Sequence, residues 1–458
     1  MPYAIDLFSG AGGMSEGLLQ AGFNIVYSSD INEDVKKTYT NRHEQLGLVQ
    51  GYNTFFEQAD IRELPSNKII ESINSLQIFK GNGVKNIDAI FGGPPCQGFS
   101  RAGRRNSKDP RNTLFKEYLR IVNDIRPSYV VMENVEGFLD TKLENFVGVR
   151  GKLYNGEILM PALLEEEFNE IGYKCLQPKV LDASDYGVPQ RRKRVIFLAY
   201  LKTMNKPNYP LPTTPKPDDK VTVLDAISDL ILEPSKKEKY PTETAYQLAS
   251  KNGRTAKALG IDLSTSNIDK LNHGISTHTP LIRERFSLFE EGESSAMLKR
   301  RIMQEGIDLS ETPLLVNLCL KNLDKFSTRE EVLNAFQNAE VDETMIQTLL
   351  TKKSNRFRLH AKQVSPTMVT LPDDYLTPFE NRIPTVREMA RIQSFDDSFE
   401  FLGKRTTGGK RRSVEVPQYT QVGNAVPPLL AKEIALEIKK AIQSSKNAEK
   451  HVNFAKLS

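Results

Sequence analysis

The sequence predicts an α/β fold: a doubly wound, mostly parallel sheet followed by a second, smaller domain. Three observations carry that expectation. Short apolar runs alternate with helical patterns from Tyr3 to about Ala199, the pattern of a parallel sheet with crossover helices. The first run passes into a glycine-rich turn and a helix, and the second ends in an acid, as in dinucleotide-type βαβ units. Near Lys202 the composition shifts to a proline-rich stretch (Pro207, Pro210, Pro212, Pro215, Pro217), which reads as a stiff linker.

Taken in order, Tyr3-Ala4-Ile5-Asp6-Leu7-Phe8 is the first strand, and Ser9-Gly10-Ala11-Gly12-Gly13 the turn after it. A helix through Leu18 and Leu19 stops at Gly22. The second strand, Ile25-Val26-Tyr27, leads to Asp30, 18 positions beyond Gly12 (30 − 12), where about 20 is expected. Physically this is a pocket where the backbone approaches a nucleoside and Asp30 accepts from ribose hydroxyls. A plain βα turn is the alternative, since the full G-x-G-x-x-G pattern is missing. At Ala59-Asp60-Ile61 a further strand end carries an acid beside an apolar residue. The pair suits an adenine ring, the carboxylate accepting from the exocyclic amine and Ile61 packing on the face; an ordinary turn Asp is the alternative.

The apolar run Ile87-Asp88-Ala89-Ile90-Phe91 ends in Gly92-Gly93-Pro94-Pro95-Cys96-Gln97-Gly98-Phe99-Ser100. Glycines permit a tight turn and the prolines stiffen the chain before the cysteine, so a thiol is held on a strand-end loop. A lone Cys is more often a small buried hydrophobe, but this setting favours a nucleophile. Leu114-Phe115 opens an amphipathic helix to about Ile125, and Tyr129-Val130-Val131-Met132 ends in Glu133-Asn134-Val135. In a parallel sheet the glycine turn, Asp30, Asp60, Cys96 and Glu133 share one rim. A helix at 160–171, a strand at 174–181, the run Gln190-Arg191-Arg192-Lys193-Arg194 and a strand at 195–199 complete the first domain.

Residues 220–355 are more polar and lack strand-end patterns. Thr328 with Glu331 suits a capping box, and Asp342 suits the cap of a helix carrying Met345, Ile346 and Leu349. His273 and His278 read as turn or surface residues. Thr385 to Gln393 is a capped short helix, Pro428 begins a final helix with Leu430, Ile434, Ile438 and Ile442 on its apolar stripe, and the tail from Ser444 reads as frayed. The expected domains are 1–203 plus 416–458, and 204–415.

With 62 Lys+Arg against 58 Asp+Glu and a formal net charge of +4, charge alone neither requires nor excludes nucleic acid. Basic clusters are more telling: Arg101, Arg104 and Arg105 after the cysteine loop, Arg191 to Arg194, and Lys404 to Arg412 around a glycine-rich turn. Three cysteines and five scattered histidines argue against a disulfide framework and against a zinc site, so no metal is expected. No apolar stretch reaches membrane-spanning length and no signal peptide is evident. The chain reads as cytoplasmic.

These motifs, in this order, resemble the cytosine-5 DNA methyltransferases of prokaryotic type across nearly the whole chain. Asp6 to Gly13 looks like the family's S-adenosylmethionine turn, Gly93 to Gln97 its nucleophile loop, Glu133-Asn134-Val135 its catalytic acid motif, and Gln190 to Arg194 its Q-x-R-x-R. Arg382 to Phe395 and Gln421 to Pro427 match its last two motifs. The resemblance implies a Rossmann-like methyltransferase fold with a target-recognition domain. It implies Cys96, Glu133, Arg192 and Arg194 as catalytic residues. Cofactor contacts would come from Phe8, Gly10, Ala11, Gly12, Gly13, Asp30, Ile31, Asp60, Ile61, Pro95, Leu114, Asn424 and Val426. Gln97, Ser100, Arg101, Arg104 and Arg105 would meet DNA. The departures are Asp30 where the family often has Glu, Asn32 where it often has Asp, and Pro384 where it usually has Leu.

Such an enzyme adds the Cys96 thiolate to carbon 6 of cytosine, so that carbon 5 becomes enamine-like and takes a methyl group from S-adenosylmethionine, leaving S-adenosylhomocysteine. A protonated Glu133 would donate to ring nitrogen 3, and Arg192 and Arg194 would hold the base oxygen and a phosphate. The target must flip out of duplex DNA, and the loop Gln97 to Asn112, hinged at Gly98 and Gly103, would close over it. The implied partners are double-stranded DNA and a separately acting restriction endonuclease; the implied state is a monomer near the nucleoid. An RNA (tRNA) cytosine-5 methyltransferase and a catalytically inactive DNA-binding relative stand as alternatives.

Overall fold

The computed structural model describes residues 1–80, 82–95, 113–240, 243–263, 271–351, 353, 355–408, 411 and 414–455. The strands are β1 (Tyr3–Leu7), β2 (Asn24–Asp30), β3 (Phe55–Gln58), β4 (Ala89–Gly92), β5 (Tyr129–Val135), β6 (Lys142–Val147), β7 (Leu153–Leu159), β8 (Tyr173–Cys175), β9 (Lys179–Asp182) and β10 (Lys193–Leu201). Eight of them form one sheet in the order β3-β2-β1-β4-β5-β10-β8, with β9 also on β10, while β6 and β7 make a separate hairpin. The first five strands of that order are parallel. β10 runs antiparallel to β5, β8 and β9. The sheet is thus mostly parallel, as the alternating pattern predicts.

Burial on both faces explains the near-continuous apolar runs. Ile5, Leu7, Ile90, Val130, Met132, Val195 and Phe197 face one core with Ile69, Ile73, Leu119, Val122, Leu163 and Phe168. Those come from α3 (Ser66–Asn74), α4 (Leu114–Ile125) and α5 (Met160–Glu170), α1 (Gly13–Gln20) and α2 (Glu33–Gln45) lying earlier in the chain. The alternate residues, Ala4, Ala89, Phe91, Val131, Ile196 and Leu198, face a second core with Leu18, Leu19, Leu430, Ile434 and Ile438. The final helix, Pro428–Ala455, therefore covers the same face as α1. It continues past Ser444, because Ser445 is buried and accepts from Asn205 N at 2.9 Å; the frayed tail expected from polarity is replaced by helix.

The 204–415 region is held in two ways. Val223, Ile227, Val386, Met389, Phe395 and Phe401 share a core with Ala11, Val422 and Ala425 from outside that region. Five helices between Pro280 and Leu349 pack on their own apolar centre, joined by Leu376 and Ile383. Both predicted caps are present: Thr328 Oγ1 accepts from Glu331 N at 3.2 Å and Asp342 Oδ1 from Met345 N at 2.9 Å. His273 is buried against Thr385 and the Leu230 carbonyl, a correction to the surface reading.

Gly17 marks where α1 meets the final helix: a Cβ there would lie 2.5 Å from Lys432 N and 2.6 Å from Pro428 O. Alanine gains about 1 kcal/mol in helix propensity, but backbone atoms cannot yield to it. Gly17→Ala is expected to lower unfolding free energy by about 1–3 kcal/mol, read as a lower urea midpoint; an unchanged or raised midpoint would contradict this packing.

Candidate active site at the strand-end rim

Because β1 to β5 are parallel, their carboxyl ends share one edge of the sheet. Phe8, Asp30, Asp60, Pro94 and Glu133 all follow or end those strands. β10 contributes from its beginning instead: its antiparallel register sets Arg194 opposite Val135 and Ile196 opposite Glu133. An antiparallel strand starts where its neighbour ends, so the arginine run arrives at the same rim.

At the β1 corner, Phe8 has φ 57°, in the left-handed region, as do Gly10 (φ 54°) and Gly12 (φ 103°). For a phenylalanine that conformation is strained, and strain of this kind clusters at functional sites. Gly10 N donates to Asp30 Oδ2 at 3.0 Å and Asn32 N donates to Oδ1 at 3.0 Å. Burial pushes the Asp30 carboxyl above its ordinary value, opposed by those backbone N–H groups. A carboxylate offers about four lone-pair positions, more than the backbone N–H groups of Asn32, Gly10 and Ile31 fill. A Cβ on Gly13 would sit 2.3 Å from the Val426 carbonyl, which puts the last motif against the turn. Ala11 is buried there, whereas Asn424 is exposed and Val426 half-buried.

Two expected adenine contacts are placed differently. Ile61 is 6 % exposed within the sheet's core, so its side chain offers little face to a ring; Ile31, 61 % exposed, is the available apolar surface. Asp60 caps its own turn through Arg62 N at 3.0 Å and is bridged by the Arg62 guanidinium at 2.9 and 3.1 Å. Arg62 holds the Asp60 carboxyl below the usual range. Leu114 and Pro95 are half-buried beside the rim.

Beneath the turn lies a polar chain that sequence reasoning missed. Ser15 Oγ donates to Asp6 Oδ2 at 2.5 Å, and the Tyr39 hydroxyl bonds Ser15 at 2.7 Å and Ser28 at 2.5 Å. Burial raises the Asp6 carboxyl to about 7, with Ser15 opposing and Asp30 adding to it. Only Asp6, as an acid inside an apolar strand, could have signalled this.

At the β4–β5 corner, Arg194 Nε is 2.6 Å from Glu133 Oε1. Asn134 Nδ2 donates to the Pro94 carbonyl at 3.1 Å, a tie that the Glu-Asn-Val run offered without its role being assigned. A Cβ on Gly93 would lie 2.9 Å from Glu133 Oε2, so glycine is what lets the proline loop pass the carboxyl. Arg192 departs from expectation. It is 2 % exposed and donates through Nη1 to Met368 O at 3.2 Å and through Nη2 to Gly423 O at 2.9 Å. Burial, with the Arg194 charge, pushes its pKa well down. Arg192 is a tie between distant segments here, joining the start of β10 to Met368 and Gly423. Gln190 extends that tie: its amide donates to Gln393 Oε1 at 2.7 Å, and Gln393 donates to Val422 O at 2.8 Å. Cys96, Gln97, Ser100, Arg101, Arg104 and Arg105, with the hinge glycines Gly98 and Gly103, lie outside the described residues.

The family model for C-5 cytosine-specific DNA methylases matches residues 3–440. The chain belongs to this family. Among its relatives, the type II methyltransferase M.DdeI of Desulfomicrobium norvegicum is 31% identical over 445 residues, covering 95% of this chain and 88% of the relative. M.AgeI of Thalassovita gelatinovora, also a type II methyltransferase, is 28% identical and covers 96% of this chain and 99% of its own. A solved structure of a prophage-encoded E. coli protein, described as a DNA modification methyltransferase, shares the fold with a TM-score of 0.59 at 22% identity, over 97% of this chain and 100% of that one. Type II methyltransferases of the family thus match this chain from end to end, across both the sheet and the helical cluster.

Two measurements test the site. In this methyltransferase, Asn134→Ala leaves the Pro94 carbonyl unpaired and is expected to slow methyl transfer about ten-fold or more with the circular dichroism spectrum unchanged; wild-type turnover would refute the anchor. Asp6 bears on pH. Its raised carboxyl contributes stability fully below about pH 4 and loses it as pH rises to about 7. His43, buried and pushed down to about 3, acts oppositely, losing stability as pH falls below about 6.5. Asp6→Asn removes only the first effect, so its urea midpoint relative to wild type should rise between about pH 4 and 7. A flat difference would exclude it.

Proposed function

We propose that this methyltransferase acts on cytosine in duplex DNA, flipping the base from the stack and methylating carbon 5 through a covalent Cys96 adduct at carbon 6. The observation that carries the reading is the Arg194–Glu133 pair at 2.6 Å, set beside the loop that Asn134 holds at Pro94, two positions before Cys96 in the sequence. Thiolate is the attacking form of cysteine; its addition places electrons on ring nitrogen 3, to which the Glu133 carboxyl, taking up a proton before the attack, donates it. Arg194 orients that carboxyl and reaches the base oxygen, and Arg192 positions the rim from behind. Once carbon 5 carries the methyl group, water takes its proton, the bond from carbon 6 to sulfur breaks with Cys96 leaving as thiolate, and nitrogen 3 returns its proton to Glu133.

The residues fit S-adenosylmethionine: Asp30 retains acceptor capacity for ribose hydroxyls, Ile31 offers exposed apolar surface, and the Val426 carbonyl packs on the glycine turn at Gly13. Bound there, it supplies the electrophilic methyl group that carbon 5 takes up. Phe8, Gly10, Gly12 and Asn424 would complete the pocket, with Asp60 released from Arg62 to meet the adenine amine. Gln97, Ser100, Arg101, Arg104 and Arg105 would face the DNA, and the helical cluster between Pro280 and Ile383 would read the target sequence. The names of its relatives, type II methyltransferases, support a modification role; a separately acting restriction endonuclease, a monomeric state and action on DNA in the cytoplasm belong to the same proposal.

DNA containing 5-fluorocytosine should trap wild-type protein covalently and leave Cys96→Ser free, because fluorine at carbon 5 blocks the elimination that releases the enzyme. Bisulfite sequencing of methylated DNA should locate the site and the modified carbon. Methylation of tRNA but not DNA, or an adduct that survives Cys96→Ser, would overturn the reading.

A further inference from the structure

The segment before the last motif is tied to the corner that carries Asp30. Asn32 uses every polar atom it has. Its Oδ1 caps α2, accepting from Asp34 N at 2.9 Å and Val35 N at 3.2 Å. Its backbone N–H donates to Asp30 Oδ1 at 3.0 Å, and its Nδ2 donates to the Val414 carbonyl at 3.2 Å. A second tie follows at once, where Val416 N donates to Asp34 Oδ2 at 3.3 Å. Between them Glu415 accepts from Lys404 at 2.7 Å and Thr407 at 2.5 Å. Two residues on, the helix Gln418–Asn424 begins, and Gln421 pins it by donating to Val416 O at 3.0 Å and accepting from Thr38 at 2.7 Å.

We infer that Asn32 is a positioning residue of the cofactor site: its side-chain amide lashes the strap Val414–Val416 to the Asp30 corner, so that the ribose acid and the exposed Asn424 are held at one spacing. The inference rests on reading this corner as the S-adenosylmethionine pocket. Its chemistry needs an amide. A carboxylate caps a helix as well as Asn does, but it has no donor and would set an oxygen against the Val414 carbonyl. A serine caps too, yet is too short to reach the strap. Neither substitution touches the backbone N–H on Asp30.

The test compares wild type, Asn32→Asp and Asn32→Ser by titration calorimetry with S-adenosylhomocysteine and by thermal unfolding. Both variants should bind S-adenosylhomocysteine about three- to ten-fold more weakly, the loss of one hydrogen bond, while unfolding within about 2 °C of wild type because the cap survives. Affinities within about two-fold of wild type would overturn the inference, as would loss in one variant only, or loss matched by a large fall in unfolding temperature. Wild-type protein that binds no S-adenosylhomocysteine would remove the cofactor reading itself, and this inference with it.

Discussion

The two halves of the chain meet around buried arginines. Every residue of the short helix Val386–Ile392 is buried, and it carries two of them. Arg391 is bound to both oxygens of Asp397 at 2.5 and 2.6 Å and to Asp229 at 3.0 Å. Arg387 donates to the carbonyls of Leu271, Asp396 and Phe399. Nearby, Arg42 on α2 pairs with Glu16 on α1 at 2.8 Å, and Thr255 donates to the same carboxylate. The environments diverge accordingly: carboxylates hold the Arg391 pKa up, whereas burial among mostly neutral carbonyls brings Arg387 down to about 10. Removing one partner from such a pair typically costs about 3–5 kcal/mol. Its value lies in geometry, because each guanidinium accepts only a few arrangements of its neighbours.

That geometry reaches the rim through amides. Gln190 just before β10, Gln393 just after the buried helix, and Val422 in the last-motif helix form one hydrogen-bonded chain. Arg192 adds bonds to Met368 and Gly423. Three runs far apart in sequence are thereby set against one another, and Ala425 and Val426 in turn press on the turn at Gly13. The rim is a joint product of the sheet and of the segments that return to it.

Reversal of β10 is the second constraint. A parallel strand in that place would have delivered its arginines to the opposite edge of the sheet, far from Glu133. Antiparallel pairing brings Arg194 to the carboxyl, and the start of the strand separates it from Arg192. Two arginines two positions apart therefore meet different surroundings, one beside the Glu133 carboxyl and one buried against Met368 and Gly423.

By itself the sequence determined the strands of the rim, the glycine turn, the acids at strand ends and the capped helices. Those features rest on local rules: side-chain alternation, φ values open to glycine, and caps within a few residues. Thr328 with Glu331, Gly12, Asp30 and Glu133 are all of that kind. Tertiary structure alone decided that Arg192 is buried, that Ile61 belongs to the core and that His273 is an interior residue. It also decided that residues 223–231 and 386–401 pack with Ala11, Val422 and Ala425 while the helices beyond Pro280 keep their own centre. Each of these depends on which surface a side chain meets, and that is set by partners tens or hundreds of residues away, with no trace in the local pattern.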